Sequence, residues 1–143
     1  MYEDDTKPKS SESDMWSALA APFPVHDLEW KPGPIFGDAT MAMIYVSARA
    51  VMDRLDTVVG PGNWEVMHET KQIGGNPGVF TTLRIQYLDD KGTRRVVTKM
   101  DGSDPSDMEA FKGAISGGLK RVAVLFGIGR YLYYLKGVKA PVE

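Results

Sequence analysis

The chain has no cysteine in its 143 residues and only two histidines, His26 and His68. The first absence excludes disulfide staples and thiol nucleophiles, and with so little histidine a structural zinc site is not expected. No apolar run approaches the roughly 18 residues that span a membrane, and the acidic, polar start does not resemble a secretory leader. A cytoplasmic protein without membrane partners is therefore expected. Loops of nucleotide-binding type are missing as well. "GGNPG" (74–78) precedes a strand-like segment and "GIGRYL" (127–132) follows a helical one, neither with P-loop or dinucleotide spacing. His68 has Glu65 and Glu69 close in sequence, but one histidine beside acids is more often a surface residue than a catalytic base. With no nucleophile, metal set or cofactor loop, the chain reads as a binding module and not an enzyme, with no cofactor.

Charge is nearly balanced overall, at −2, and by itself argues weakly against a nucleic-acid binder. Its distribution is uneven. Residues 1–14, "MYEDDTKPKSSESD", carry five acids and two lysines and lack apolar periodicity, so a disordered acidic tail is expected there. Residues 15–143 then form the single folded domain, with net charge +1. Between 91 and 136 nine basic residues face four acidic ones, enough for a cationic face or for an ordinary solvated surface.

Along the chain, a short helix is expected from Asp14 to Ala20, followed by a proline-rich extended strap around Trp30 pinned to the core by its aromatics. The spacing of Ile44, Ala48, Val51, Met52, Leu55, Val58 and Val59 predicts a helix over 40–59, closed by "GPG". Arg49 lies one turn before Asp53, where an ion pair is the plain structural role. Strands are expected over 63–73, 79–88 and 93–100, the last two joined by a hairpin through "DDKG". If Leu88 pairs with Thr93, then Arg84, Arg95 and Lys99 share one face of the sheet, and Val96, Thr98 and Met100 join Leu83 and Ile85 on the other. A final helix starts in "DPSDMEAF", with Asp104 or Ser106 as N-cap and Ser106 to Glu109 spaced as a capping box. That role is preferred to a metal site built from Asp101, Asp104 and Asp107. The layout is α+β, a helix-β-β-β-helix core with a three-stranded antiparallel sheet covered by helices.

The final helix poses a question. Phe111, Ile115, Leu119, Val122 and Phe126 make a core stripe, with Ala114, Gly118 and Leu125 beside it, yet the helix carries Gly113, Gly117 and Gly118. Each glycine costs a helix interior about 1 kcal/mol relative to alanine. Gly113 and Gly117 fall on the polar side with Lys112, Ser116 and Lys120, and Arg121 marks the other flank. Two readings stand: a smooth floor edged by cations where a phosphate backbone approaches, or a surface where another strand or subunit packs tightly.

The segments "AISGGLKRVAVLFGIGRYLY" (114–133), "YVSARAVMDRLDTVVGPGNWE" (45–65) and "APFPVHDLEWKPG" (21–33) together resemble the Rad52 family of single-strand annealing proteins, the last of them its bacterial branch. The resemblance covers residues 20–135, in order and with matching strands between. It implies a homo-oligomeric ring that binds single-stranded DNA in a groove and anneals complementary strands without ATP, in recombination or double-strand break repair at the nucleoid. By position it implies Arg49, Lys120 and Arg121 as groove cations and Lys112 as a further basic position, with Arg84, Arg95 and Lys99 on the sheet sharing the load. Two departures affect affinity or strand geometry: Val124 replaces an arginine common in relatives, and Pro61 replaces an aromatic found in eukaryotic members. An end-protecting coat with little annealing, and a purely structural oligomer, are the alternatives. No recombinase partner is assigned. No aromatic ladder is evident in the groove, so phosphate contacts and sequence-independent binding are expected.

Overall fold

The computed structural model describes residues 11–37, 39–103, 108–135 and 138–141. The elements are α1 (Glu12–Ala20), β1 (Leu28–Phe36), β2 (Ala39–Val46), α2 (Ala48–Val58), β3 (Trp64–Ile73), β4 (Asn76–Leu88), β5 (Arg94–Ser103), α3 (Met108–Val124) and β6 (Val138–Pro141). Short 3₁₀ turns lie at Val25–Asp27, Pro61–Asn63 and Arg130–Tyr134. The strands form two antiparallel three-stranded sheets, ordered β1-β2-β6 and β3-β4-β5. The second is the expected sheet, flanked in sequence by α2 and α3. The first was not expected.

Helix α1 begins two residues earlier than its sequence suggests because Ser11 and Asp14 close a capping box. The Asp14 N–H donates to Ser11 Oγ at 3.0 Å and the Ser11 N–H to Asp14 Oδ2 at 3.1 Å. Most of the expected tail, residues 1–10, lies outside the described residues. Trp16 on α1 meets Tyr87 edge-on at 5.4 Å and stacks on Phe126 at 6.3 Å, so the helix lies against the end of the second sheet. Its C-terminus is held by Arg54 of α2. That guanidinium donates to the carbonyls of Ala18, Leu19, Ala21 and Pro22 and lies 4.0 Å from the Phe23 ring centroid. Arg54→Ala is expected to cost about 1–2 kcal/mol, read as a lower urea midpoint. Arg54→Lys should restore little of it, since an ammonium has no planar fork to span four carbonyls.

The expected helix over 40–59 is split. Residues 40–46 form most of β2, which pairs with β1 from Leu28↔Val46 to Pro32↔Ala42 and again at Ile35↔Thr40 after a register shift. The shift falls between Pro32 and Ile35, a stretch that holds Pro34, and prolines lack the N–H a ladder needs. The proline-rich strap is thus a strand, and Trp30 is 55% exposed on it instead of pinned to the core, whereas Phe23 is buried. Helix α2 starts only after Ser47, whose Oγ accepts the Ala50 N–H at 3.1 Å. Val51 and Leu55 are then fully buried, and Gly60 with φ 94° ends the helix as expected.

The hairpin between β4 and β5 departs by one residue. Asp89 Oδ1 accepts the N–H groups of Lys91 and Thr93, each at 2.9 Å, and Gly92 takes φ 78°. Asp89 and Thr93 therefore belong to the turn, and Leu88 pairs with Arg94, not Thr93. The Thr93 N–H is the main cause holding the Asp89 carboxyl below its usual pKa, with Arg95 and the Lys91 N–H adding to it. A slip of one residue exchanges the faces of β5. Lys99 pairs with Leu83, Val97 with Ile85 and Arg95 with Tyr87 on the helix-covered side. Arg84 pairs with Thr98 and Thr82 with Met100 on the open side.

The core is one cluster in which Leu19, Val51, Leu55, Leu83, Ile85, Leu119, Val122 and Phe126 meet. Helix α3 lies on β4 and β5, α2 on α3, and α1 on α2. Of the predicted α3 stripe, Ala114, Gly118, Leu119, Val122 and Phe126 are buried and Ile115 half-buried, while Leu125 is exposed and the Phe111 side chain is not described. The proposed caps Asp104 and Ser106, and with them Asp107, lie outside the described residues.

Candidate nucleic-acid interface

The glycines of α3 divide into two kinds. A Cβ at Gly118 would overlap Thr81 Oγ1 and stand 3.1 Å from Thr81 Cβ, so this glycine lets α3 settle onto β4. A Cβ at Gly113 or Gly117 would meet nothing within 4 Å. The two readings thus concern different residues: Gly118 serves packing within the chain, and Gly113 and Gly117 leave an open surface.

That surface continues into a groove of about 350 Å³ between α3 and β2. Gly117, Lys120, Arg121 and Val124 line one wall, Met43 and Tyr45 the other, and Tyr133 stands at the end where the chain leaves α3. The groove exists because Val46 at the end of β2 and Ile128 in the turn after α3 are both buried, which holds the first sheet against the C-terminal half of the helix.

Lys120 is half-buried, and its Nζ lies 5.9 Å from the centroid of the Tyr45 ring. Lys31 approaches the same ring at 5.4 Å from the neighbouring strand β1. Burial, and next the charge of Lys31, hold the Lys120 pKa below its ordinary value, with Glu29 opposing them. Among the described residues no carboxylate comes within ion-pair distance of Lys120. Arg121 lines the same wall but is partly committed: its Nε donates to Asp101 Oδ2 at 3.3 Å, tying α3 to β5. Arg49 is exposed on the first turn of α2, four residues after Tyr45, and the ion pair with Asp53 is not made. Lys112 is exposed two turns before Lys120 on α3.

The three sheet cations do not share a face. Arg84 pairs with Glu65 at 3.1 Å on the open side. Arg95 holds Asp89 at 2.9 Å beside the hairpin turn. Lys99, across the sheet from Arg84, donates to the Leu125 carbonyl at 2.9 Å just beyond the end of α3. Arg130 also donates to the Val124 carbonyl, so two cations meet the negative end of that helix dipole. Arg95, Lys99 and Arg130, and in part Arg121, are thus engaged in holding the fold, and the cations facing the groove are fewer than the charge count suggests. Lys31 and Tyr45 were missed in the sequence because the first sheet was missed. The alternation of Glu29 and Lys31, and of Met43 and Tyr45, around "GD" at 37–38 is the available signal.

Among the described residues no three His, Cys, Asp or Glu side chains are grouped to hold a metal ion, and no helix is long and apolar enough to cross a membrane. A family model described as "Rad52/22 family double-strand break repair protein" matches residues 11–142. Two relatives, from Deinococcus radiodurans and Deinococcus deserti, both carry the name single-stranded DNA-binding protein DdrA. Each is 41% identical over 127 residues, covering 86% of this chain and 56% and 58% of the respective relative. The chain thus spans a little more than half the length of these relatives.

Proposed function

Since the chain belongs to the Rad52/22 family of double-strand break repair proteins, we propose that it binds single-stranded DNA in the groove between α3 and β2 and anneals complementary strands without ATP. The observation that carries this reading is the groove itself, where Lys120, unpaired by any described carboxylate, and Arg121 stand beside the side-chain-free surface of Gly117. A phosphate backbone can come close to such a wall and take charge-assisted hydrogen bonds. The names of the two relatives support the same ligand. Arg49 and Lys112 extend the path along the exposed ends of α2 and α3. Arg84, Arg95 and Lys99 are assigned to the fold and contribute only long-range attraction.

The protein works as a homo-oligomeric ring acting on nucleoid DNA, with no catalytic step. Each protomer offers few groove cations, so a closed array supplies affinity by multiplying them. The second sheet supports assembly too, with β3 and β5 as its edges among the described strands and the exposed Met67, Val96 and Met100 on its open face. Light scattering at micromolar protomer should report many subunits, and a monomer there would refute the ring.

Fluorescence anisotropy on an oligonucleotide across a salt series tests the DNA reading. The expected result is a steep negative slope of log K on log salt, with duplex binding more weakly than a single strand. Equal affinity for both at matched salt would overturn the groove model. An annealing assay with complementary oligonucleotides then separates annealing from end-protecting coating, a reading favoured by the relatives' names, which state binding alone.

A further inference from the structure

We propose that Lys120 is a covalent modification site, acylated at Nζ by an acyl phosphate that the neighbouring cations draw into the groove. The modification itself stands apart from the DNA reading. Its consequence, the loss of a phosphate contact, rests on the single-strand function above.

A lysine becomes a nucleophile where its amine is desolvated beside another cation, because only the neutral amine has a lone pair to give. Lys120 meets both conditions. It is half-buried against the Tyr45 ring, 5.9 Å from the centroid, and Lys31 of β1 approaches the same ring at 5.4 Å. Burial first and Lys31 second lower its pKa against the opposing charge of Glu29, so more neutral amine is present at neutral pH than an ordinary lysine provides. Among the described residues no carboxylate is close enough to lock the ammonium form in an ion pair. Other lysines are held differently: Lys71 pairs with Glu69 at 3.3 Å, and Lys99 donates to the Leu125 carbonyl at 2.9 Å.

The groove also suits the reagent. Its volume of about 350 Å³ exceeds the roughly 300 Å³ at which small-molecule sites begin. An acyl phosphate is small and carries its negative charge on the leaving group, which Lys31 and, on the same wall as Lys120, Arg121 can hold. Glu29 answers Lys31 only loosely, at 3.8 Å in solvent, and so leaves it free for a stronger anion. Gly117 has open space where a Cβ would sit, so the reagent reaches the amine without displacing a side chain. The Nζ lone pair attacks the acyl carbonyl carbon, a C–N bond forms, and the C–O bond to phosphate breaks. Phosphate leaves with the bonding pair, and the proton shed by nitrogen passes to it or to water. The amide that results carries no charge.

The test incubates the full chain with acetyl phosphate at neutral pH and follows acetylation of each lysine by mass spectrometry. Lys120 should react about three- to tenfold faster than Lys91, an exposed lysine of the β4–β5 turn. Lys31→Ala, at an exposed strand position, should bring the Lys120 rate down toward that of Lys91, and Lys31→Gln should do the same if the alanine variant fails to fold. Equal rates at Lys120 and Lys91 in the parent, or a Lys120 rate that the folded Lys31 variants leave unchanged, would overturn the proposal. The acetylated protein should bind a fluorescent single strand with a salt slope lower by about 0.7, and a bound oligonucleotide should shield Lys120 but not Lys91. If Lys120 reacts preferentially yet neither effect is seen, the acylation site stands and the placement of single-stranded DNA in this groove falls.

Discussion

Replacing Gly118 by valine is expected to cost about 3 kcal/mol of stability. A side chain there meets Thr81 directly: its first carbon would overlap Oγ1 and come within 3.1 Å of Cβ. Thr81 has no room to yield, being only 2% exposed, with its hydroxyl 2.8 Å from His68 Nδ1 on the paired strand. Overpacking of this kind costs about 1–3 kcal/mol, and valine offsets little of it with its modest helix propensity. Gly118→Ala should be milder, since about 1 kcal/mol of propensity returns against the overlap. Gly117→Ala should have the opposite sign, a gain of up to about 1 kcal/mol, because its Cβ enters open space. The measurement is the urea midpoint at fixed protomer concentration, since assembly shifts apparent stability. A Gly118→Val protein as stable as the parent would mean that α3 does not rest on Thr81.

The contrast between Gly117 and Gly118 shows where sequence reasoning ends. The apolar stripe of α3, the stop after α2 and the three strands of the second sheet were legible, because burial on one side imposes a period on the residues. Whether a glycine in that stripe faces a strand or solvent depends on what lies across from it, which no local pattern records. The first sheet was lost for a related reason. Over 40–59, Ile44 of β2 falls by coincidence on the helical spacing of Val51 and Leu55, and Ser47, the N-cap that divides strand from helix, looks in sequence like any polar helix residue. The site was half legible. Lys120 and Arg121 are adjacent to the glycines and drew notice, whereas Lys31 and Tyr45 enter only through a strand pairing that was not foreseen. The grouping of Arg84, Arg95 and Lys99 failed by a single residue at the Asp89 turn, the kind of error to which alternating faces are most sensitive.

The double variant Lys120→Ala, Arg121→Ala is expected to lose most single-strand binding at physiological salt and to lower the salt slope by about 1.4, two phosphate contacts at about 0.7 each. The two residues contribute differently. Lys120 has no ion-pair partner among the described residues, and burial depresses its pKa, so its charge is carried at some cost to the fold. The sign follows from linkage. A lysine whose folded pKa lies below its unfolded value penalises stability most when both states are protonated, and the penalty fades as pH rises from the folded pKa to the unfolded one. Lys120→Ala should therefore leave stability unchanged or slightly improved at neutral pH while weakening DNA binding. In the parent, DNA affinity should decline with rising pH earlier than an ordinary lysine would require, because the phosphate needs the protonated amine. Arg121→Ala releases Asp101 as well as a phosphate contact, so a loss of up to about 1 kcal/mol of stability should accompany its weaker binding. Lys71→Ala, on the sheet face turned away from α3, is the control for general charge attraction. Anisotropy and annealing assays on assemblies of parental size decide the matter. If the double variant binds and anneals as the parent does, the groove is not the DNA site and the open glycines of α3 serve contacts between subunits.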